Sequence, residues 1–349
     1  MLNFEVQKTI ISTSTDNKMI DIQPITPVRF GIVGTNFISD WILVAGQEDS
    51  RFQPVAVYSR QRETAEAFAR KHNIPHTFTD LRAMAGSDWI DAVYIASPNF
   101  LHAEQTILCL SSGKHVLCEK PFASNAGEAS GMIETARRYG RVLMEAMMPT
   151  LTPNFGQVRQ YMHKIGTIRN YFASYCQYSS RYDKFKAGEV LNAFKAGMSN
   201  GALMDIGVYT IYPMVILFGK PLRINASGLL LSTGVDGQGM IQFEYPSMQA
   251  TVMYSKIADS TLPTAIHGED GTIMLDRINV ISTVSLIDRK NKTVKDLSLP
   301  RLHNEYYYEI AEFIDLIQSG KTESAVNSLQ HSLWTMEIMD EVRRQVKNR

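Results

Sequence analysis

Residues 29–39 read Arg-Phe-Gly-Ile-Val-Gly-Thr-Asn-Phe-Ile-Ser, a short apolar run that passes through a glycine into a stretch typical of a helix. A strand that turns into a helix in this way is the usual place for the dinucleotide fingerprint G-x-G-x-x-G. In that motif, backbone N–H groups and the helix N-terminus face a pyrophosphate. Only the first glycine, Gly34, is present here, because Asn36 and Ser39 occupy the second and third positions.

The substituted glycine turn still has the properties that phosphate binding needs. Asn tolerates a left-handed backbone better than most residues, and Ser is small enough for close packing between helix and strand. The alternative is a tight turn that binds no ligand. If the turn is functional, the residues predicted to bind a dinucleotide are Gly34, Thr35, Asn36, Phe37 and Ile38.

The alternation of apolar runs and helical patterns continues to about residue 148. Further apolar runs lie at 52–58, 91–95, 115–118 and 142–144. Strands that alternate with helices at this spacing predict a parallel, doubly wound sheet. We therefore predict a Rossmann domain over residues 28–148, preceded by an N-terminal extension over residues 1–27 that is either a mobile tail or an edge strand.

From residue 149 to residue 349 the pattern changes to strand-like runs separated by Gly, Asp and Pro turns. These runs cover 168–178, 222–231, 239–245, 249–255, 272–276 and 280–287. Successive hairpins predict an α+β domain built on a large, mostly antiparallel, open-faced sheet. An apolar helix over 202–218 interrupts the strands, and two helices, over 305–318 and 329–344, end the chain.

Composition excludes several classes of function. Lys plus Arg and Asp plus Glu each total 35 in the 349 residues, so the chain lacks the positive charge on which nucleic-acid binding usually depends. The eight histidines show no metal-ligand spacing. No secretory signal or membrane span is evident, and three cysteines fit reduced thiols. We expect a cytoplasmic protein with no metal site and no nucleic-acid or membrane partner.

The end of the second strand indicates which dinucleotide is preferred. An NAD-binding site often has a carboxylate there for the ribose hydroxyls, but this chain has Tyr58, Ser59 and Arg60. A hydroxyl and a guanidinium suit a 2′-phosphate, which favours NADP(H). An ordinary solvated Arg60, or an NAD site in which Ser59 contacts the ribose, is the alternative.

A charged pair, Glu119 and Lys120, directly follows the apolar run at 115–118. This places both residues at the carboxyl end of a strand, where open α/β sheets bind their ligands. A lysine at this position can donate a proton to an oxygen that is being reduced. Burial or a nearby cationic nicotinamide is expected to lower its pKa toward the working range.

The run Ser97-Pro98-Asn99-x-x-His102, followed by Gly-Lys-His-Val-x-x-Glu-Lys-Pro at 113–121, resembles the signature of the Gfo/Idh/MocA family of oxidoreductases. The resemblance extends from residue 29 to the C-terminus and implies a Rossmann domain with an open-faced sheet domain. It also implies that Lys120 is catalytic. The residues implied to line the cofactor site are Ser97, Pro98, Asn99, His102 and Glu119.

A second segment resembles the family motif G-x-L-x-D-x-G-x-[H/Y]. Asp205 and Tyr209 stand four residues apart, so a helix places them on one face. The tyrosine form is similar to the dimeric dihydrodiol dehydrogenase branch. This similarity implies that Tyr209 relays a proton and that Asp205 orients Lys120 and Tyr209. The chain departs from the family at Thr150, where Arg is common, which implies a changed pocket wall.

Together these features predict an NADP(H)-dependent oxidoreductase. It would move a hydride between the nicotinamide and a secondary alcohol or ketone of a sugar, a cyclitol or a trans-dihydrodiol. Such a protein would act as a homodimer joined through the open sheet face. The alternative is a sensor of the same fold that binds a dinucleotide without turnover.

Overall fold

The computed structural model describes residues 26–302 and 304–348, which form two sheets with helices packed against them. All but the last two residues of the expected N-terminal extension, 1–27, lie outside the described residues. Thr26 is held at the domain surface, where its carbonyl oxygen accepts a hydrogen bond from Gln318 Nε2 at 3.0 Å.

The first sheet confirms the predicted parallel, doubly wound arrangement. Its strands are β1 (Val28–Val33), β2 (Phe52–Tyr58), β3 (His76–Phe78), β4 (Ala92–Ile95), β5 (His115–Glu119) and β6 (Leu143–Ala146). The helices of this domain are α1 (Phe37–Gly46), α2 (Arg62–His72), α3 (Leu81–Ala85), α4 (His102–Ser111) and α5 (Ala126–Tyr139). The strand order is β3-β2-β1-β4-β5-β6, so the order reverses between β1 and β4. Ligands bind at such a switch point, outside the carboxyl ends of the strands.

The second sheet has eight strands and is mostly antiparallel, as predicted. The strands are β7 (Ile168–Cys176), β8 (Arg223–Leu230), β9 (Asp236–Glu244), β10 (Gln249–Ser255), β11 (Thr264–Gly268), β12 (Gly271–Leu275), β13 (Val284–Asp288) and β14 (Thr293–Asp296). Only β7 and β10, near the middle of the sheet, pair in parallel. Buried and exposed residues alternate along β9 and β10, which gives the sheet one covered face and one open face.

The covered face packs against helices. The helices that follow the first domain in the chain are α6 (Pro153–Tyr161), α7 (Tyr182–Lys186), α8 (Val208–Phe218), α9 (Tyr307–Gln318) and α10 (Leu329–Lys347). The helical run 196–218 is long and apolar enough to cross a membrane, but 72% of its apolar window is buried inside the protein. It is a core helix, because α8 packs on β7 and β10.

The two C-terminal helices join the domains. α9 packs on α1, and Phe313 lies 5.9 Å from Phe30 of β1, measured between ring centroids. α9 therefore belongs to the core of the first domain, although it follows the second sheet in sequence. α10 packs on α5 of the first domain and on α8 and β8 of the second. These contacts fix the cleft between the two sheets.

Candidate active site

The glycine turn lies between β1 and α1, at the switch point of the first sheet. Gly34 has φ +103°, and a Cβ at this position would lie 2.6 Å from the carbonyl oxygen of Ala96. Only glycine fits both the backbone conformation and the close approach of β4. The absence of a side chain lets the turn pack directly against Ala96.

The structure corrects the expected role of Asn36. Its backbone is extended, with φ −90° and ψ 178°, rather than left-handed. The side chain caps α1, since Oδ1 accepts from Ile38 N at 2.8 Å and Nδ2 donates to Ala96 O at 2.9 Å. Ser39 is buried and donates to Gly34 O at 2.9 Å. Asn36 and Ser39 therefore rebuild the turn through side-chain hydrogen bonds.

A cavity of about 330 Å³ opens above this turn. The predicted cofactor-binding residues that line it are Gly34, Thr35, Asn36, Ser59, Arg60, Ser97 and Pro98. Phe37 and Asn99 do not line this cavity but the adjoining one. Ile38, His102 and Glu119 line neither cavity, because Ile38 packs on the core and the other two are buried.

The adjoining cavity, of about 460 Å³, lies between the two domains. Polar side chains from the second domain reach it, among them Arg181, Asn192, Asn200 and Asp205. Asn192 also lines the cavity above the glycine turn, as do the residues Asn36, Ser97 and Pro98. Because the two cavities share these walls, they form one continuous cleft.

Lys120 contacts both other predicted catalytic residues, Asp205 and Tyr209; of the three, only Asp205 lines a cavity of the cleft. The Lys120 side chain is only 15% exposed, and Nζ donates to Asp205 Oδ1 and to Asp205 O, each at 3.2 Å. The same ammonium lies 5.1 Å from the ring centroid of Tyr209. The structure thus brings together three residues that are up to 89 positions apart in sequence, numbered 120, 205 and 209.

The local backbone explains how Asp205 and Tyr209 come to face the same point. Residues Leu203–Gly207 form a π-helical turn that continues directly into α8. Such turns occur as single insertions in helices, often at functional sites. Asp205 lines the cleft from this turn, and Tyr209 packs edge-on against Tyr175 with the ring centroids 5.6 Å apart.

Matches to two family models show which protein family the chain belongs to. Residues 28–147 match the model described as an oxidoreductase family with an NAD-binding Rossmann fold, Gfo/Idh/MocA. Residues 157–274 match the Gfo/Idh/MocA C-terminal domain. The chain belongs to the Gfo/Idh/MocA family. The resemblance drawn from the sequence motifs is therefore confirmed.

Individual relatives of this Gfo/Idh/MocA protein cover nearly all of it. The scyllo-inositol 2-dehydrogenase (NADP(+)) IolU of Bacillus subtilis is 51% identical over 91% of this chain and 97% of its own. A trans-1,2-dihydrobenzene-1,2-diol dehydrogenase of Xenopus tropicalis is 29% identical over 84% of this chain and 90% of its own. Among solved structures, levoglucosan dehydrogenase with NADH and levoglucosan has a TM-score of 0.83 at 21% identity, covering 93% of this chain and 98% of its own.

In this Gfo/Idh/MocA protein the pKa of Lys120 shifts in the direction opposite to the expected one. Burial alone would lower it, but Tyr209, at pH values where its phenol is ionised, and the carboxylate of Asp205 outweigh burial and raise it above its ordinary value. Burial would raise the pKa of Asp205, yet the ammonium groups of Lys120 and Lys256 hold it well below its usual range. Burial raises the pKa of Tyr209 despite the nearby Lys120.

Lys256 is a residue of this site that the sequence analysis missed. It directly follows β10, is 4% exposed, and donates from Nζ to Asp205 Oδ2. The available signal was the same as for Lys120, a lysine at the end of an apolar strand. That signal does not reveal the partner, which lies 51 residues away in sequence.

Glu119 and His102 support the cleft from beneath. Glu119 is 7% exposed and accepts a hydrogen bond from Tyr94 OH at 2.7 Å. The ring nitrogens of His102 lie 2.9 Å from the carbonyl oxygens of Ser97 and Pro121. His102 therefore joins the segments that follow β4 and β5, next to Lys120.

The structure also corrects the expectation for Thr150. This residue is 3% exposed, and its Oγ1 lies 2.6 Å from Asn327 Oδ1. Thr150 is packed in the protein interior and lines neither of the cavities described above. Among residues 26–302 and 304–348, no cluster of His, Cys, Asp and Glu could hold a metal ion.

Proposed function

We propose that this protein is an NADP(H)-dependent oxidoreductase acting on a secondary alcohol or ketone of a small polyhydroxylated molecule, with cyclitols such as inositol as the first class to test. The observation that carries the proposal is the contact of Lys120 with Asp205 and Tyr209 beside a continuous two-part cleft. The 51% identity to an NADP(+)-dependent scyllo-inositol 2-dehydrogenase supports this substrate class.

The residues of the first cavity fit a phosphorylated dinucleotide. Gly34 lines this cavity and lets the turn pack where a Cβ would collide with Ala96, and the N-terminus of α1 follows the turn. Ser59 and Arg60 line the same cavity and would hold a 2′-phosphate. When bound, the nicotinamide supplies or accepts the hydride.

The protein's own groups position the substrate and move its proton. The Lys120 ammonium would donate to the carbinol or carbonyl oxygen and stabilise its negative charge. The Tyr209 hydroxyl would give that oxygen its proton in reduction, and the Tyr209 phenolate would take the proton from it in oxidation. Because the pKa values of both groups are raised, both hold their protons at neutral pH, which is the form needed for reduction. Oxidation should therefore become faster as pH rises.

The second cavity suits a molecule with several hydroxyl groups. Its wall presents the guanidinium of Arg181 and the amides of Asn192 and Asn200 near Asp205. Amides donate and accept, so they can match hydroxyls in either role. Asn99 Nδ2 donates to Asn200 Oδ1 at 2.9 Å and so links this wall to the first domain.

A substrate panel with both cofactors tests the proposal. NADP⁺ is offered with scyllo-inositol, myo-inositol, glucose and a trans-dihydrodiol, and absorbance of the reduced nicotinamide is followed. We expect reduction with at least one polyol and quenching of protein fluorescence when NADPH binds. If a dinucleotide binds but no member of the panel is turned over, the result would support the alternative function as a dinucleotide sensor. If neither NADPH nor NADH binds, the premise that the protein binds a nicotinamide dinucleotide would fail.

The choice of cofactor depends on Arg60. The variant Arg60→Ala should raise KM for NADP⁺ by roughly 10- to 100-fold, because a charge-assisted hydrogen bond to phosphate contributes about 1.5–3 kcal/mol. KM for NAD⁺ should change little, since NAD⁺ has no 2′-phosphate. Arg62→Ala, an exposed arginine two residues away that lines neither cavity, is the control. Equal KM increases for both cofactors would contradict this role.

We also propose that the open face of the second sheet joins two copies of the chain. Leu229 on β8 and Met240 on β9 are 47% and 50% exposed, and Met240 lies opposite Met253 of β10. An exposed apolar sheet face of this kind favours a partner. The variant Met240→Asp should lower the mass measured by light scattering from twice 39.3 kDa toward that of one chain, whereas Val44→Asp on α1 should leave it unchanged. A monomeric wild type would contradict the proposal.

We also propose that the protein is located in the cytoplasm. Cys109 and Cys118 are buried free thiols, and Cys176 is a half-buried one. Unpaired thiols are typical of reducing compartments.

A further inference from the structure

We infer that Lys256 is a positioning residue of the reaction centre. It holds the Asp205 carboxylate so that one carboxylate oxygen accepts from Lys256 and only the other accepts from Lys120. This inference deepens the proposed function and rests on it. The Lys256 side chain is 5% exposed, against 15% for Lys120, and its ammonium contacts the Asp205 carboxylate, so it would act through Asp205 rather than on the substrate.

The contacts of the Asp205 carboxylate carry the inference. Oδ2 accepts from Lys256 Nζ, and Oδ1 accepts from Lys120 Nζ at 3.2 Å. Lys256 is 4% exposed, and within the described part of the chain Asp205 is the one hydrogen-bond acceptor that its ammonium contacts. A buried ammonium is costly unless it is paired, so its position is determined by this carboxylate.

Lys256 also connects Asp205 to the wall of the substrate cavity. Its ammonium lies 5.5 Å from the ring centroid of Phe194, which is fully buried in a small separate cluster with Ala193 and Val235. The backbone carbonyl of Lys256 accepts from Ser179 N at 2.9 Å, where the chain enters this wall. Lys256 therefore contacts the wall segment 179–200 through both its backbone and its side chain, and its side chain also contacts Asp205 of the reaction centre.

The charges predict what Lys256 does for Lys120. With two ammonium groups on one carboxylate, Asp205 offers Lys120 a single oxygen and a charge that is already partly neutralised. Without Lys256, the whole negative charge of Asp205 would act on Lys120 and strengthen that ion pair. The same charge would oppose ionisation of the Tyr209 phenol, so Tyr209, which takes the proton in oxidation, would release its own proton at higher pH. The titratable groups that face Lys120 from its surroundings are His102, Glu119, Glu145, Tyr175, Asp205 and Tyr209.

The test is the pH profile of polyol oxidation in Lys256→Met. In a plot of kcat against pH, the part of the curve where kcat rises (the rising limb) should move to higher pH by about one pH unit. At pH 7.5 this shift should lower kcat about tenfold. KM for polyol and for NADP⁺ should change less than about threefold, since binding groups are untouched. Lys256→Arg keeps the charge and should restore the wild-type profile. Lys195→Met, an exposed lysine in the same wall segment, is the control.

The outcomes separate the possible roles. A Lys256→Met enzyme with a lower melting temperature but an unshifted rising limb would overturn the inference and leave Lys256 a structural residue. If that variant does not fold, Lys256→Gln, which keeps a donor for Asp205 without the charge, must give the same shift for the inference to stand.

A readout without turnover distinguishes this inference from the proposed function. The rate at which acetic anhydride labels Lys120 at one fixed pH, followed by mass spectrometry, reports the free fraction of its amine. If the wild type oxidises no polyol, the proposed function fails, but the labelling rate of Lys120 should still fall in Lys256→Met. An unchanged labelling rate would overturn the inference by itself.

Discussion

Replacing Lys120 by Met should lower kcat for polyol oxidation roughly 10³-fold, because general acid–base and charge stabilisation by one positioned group typically contribute 10²- to 10⁴-fold. The affinity for NADPH, measured by fluorescence titration, should change less than about threefold. Lys120 does not line the cavity above the glycine turn, so its loss removes little that holds the dinucleotide.

The variant Lys120→Arg tests whether a positive charge alone is sufficient. It keeps that charge beside Asp205, but its planar guanidinium cannot place a donor where the compact Lys120 ammonium does. We expect it to keep the fold and cofactor binding and to remain at least about 100-fold impaired. A Lys120→Met enzyme that retains more than a tenth of wild-type kcat would contradict the assignment of Lys120.

The second large effect is expected for Tyr209→Phe, which should lower kcat about 10²-fold. The substitution removes only the hydroxyl that exchanges a proton with the substrate, while the ring can keep its packing against Tyr175. The KM for polyol should stay within about threefold. Steady-state kinetics at several pH values is the measurement, since the loss should persist across the range.

A matched control for Tyr209→Phe is Tyr245→Phe. Tyr245→Phe also removes a hydroxyl, one that donates to Gly219 O at 3.0 Å, but Tyr245 lines a separate cavity with Phe218 and Met248. This variant should retain wild-type kcat and lose only some stability. Full activity in Tyr209→Phe would mean that Lys120 alone moves the proton.

The fold was largely predictable because long, strongly patterned segments determine it. The alternation from β1 to β6 and the hairpins of the second sheet both follow from hydrophobic period and turn residues. Three strands were not predicted, namely β3, β11 and β14. β3 has three residues and β14 has four, which is too short for a period to be read, and β11 is identified only by its pairing with β7 and β12.

The site was predictable only where neighbouring residues in sequence carry the signal. The Glu-Lys-Pro run and the spacing of Asp205 and Tyr209 are local, and the structure brings these residues into contact. The predicted direction of the Lys120 pKa shift was wrong because the shift depends on Tyr209 and Asp205, which are distant in sequence. Lys256 was missed for the same reason, since its significance lies entirely in its long-range partner.

The transfer of deuterium from substrate to cofactor tests the central claim most directly. The protein is incubated with NADP⁺ and scyllo-inositol deuterated at its carbinol carbons, and the nicotinamide product is analysed by mass spectrometry and NMR. Direct hydride transfer beside Lys120 predicts NADPH with one deuterium at C4 and an inosose in equal amount, both abolished in Lys120→Met. Unlabelled NADPH, or labelled product at an undiminished rate in Lys120→Met, would contradict it.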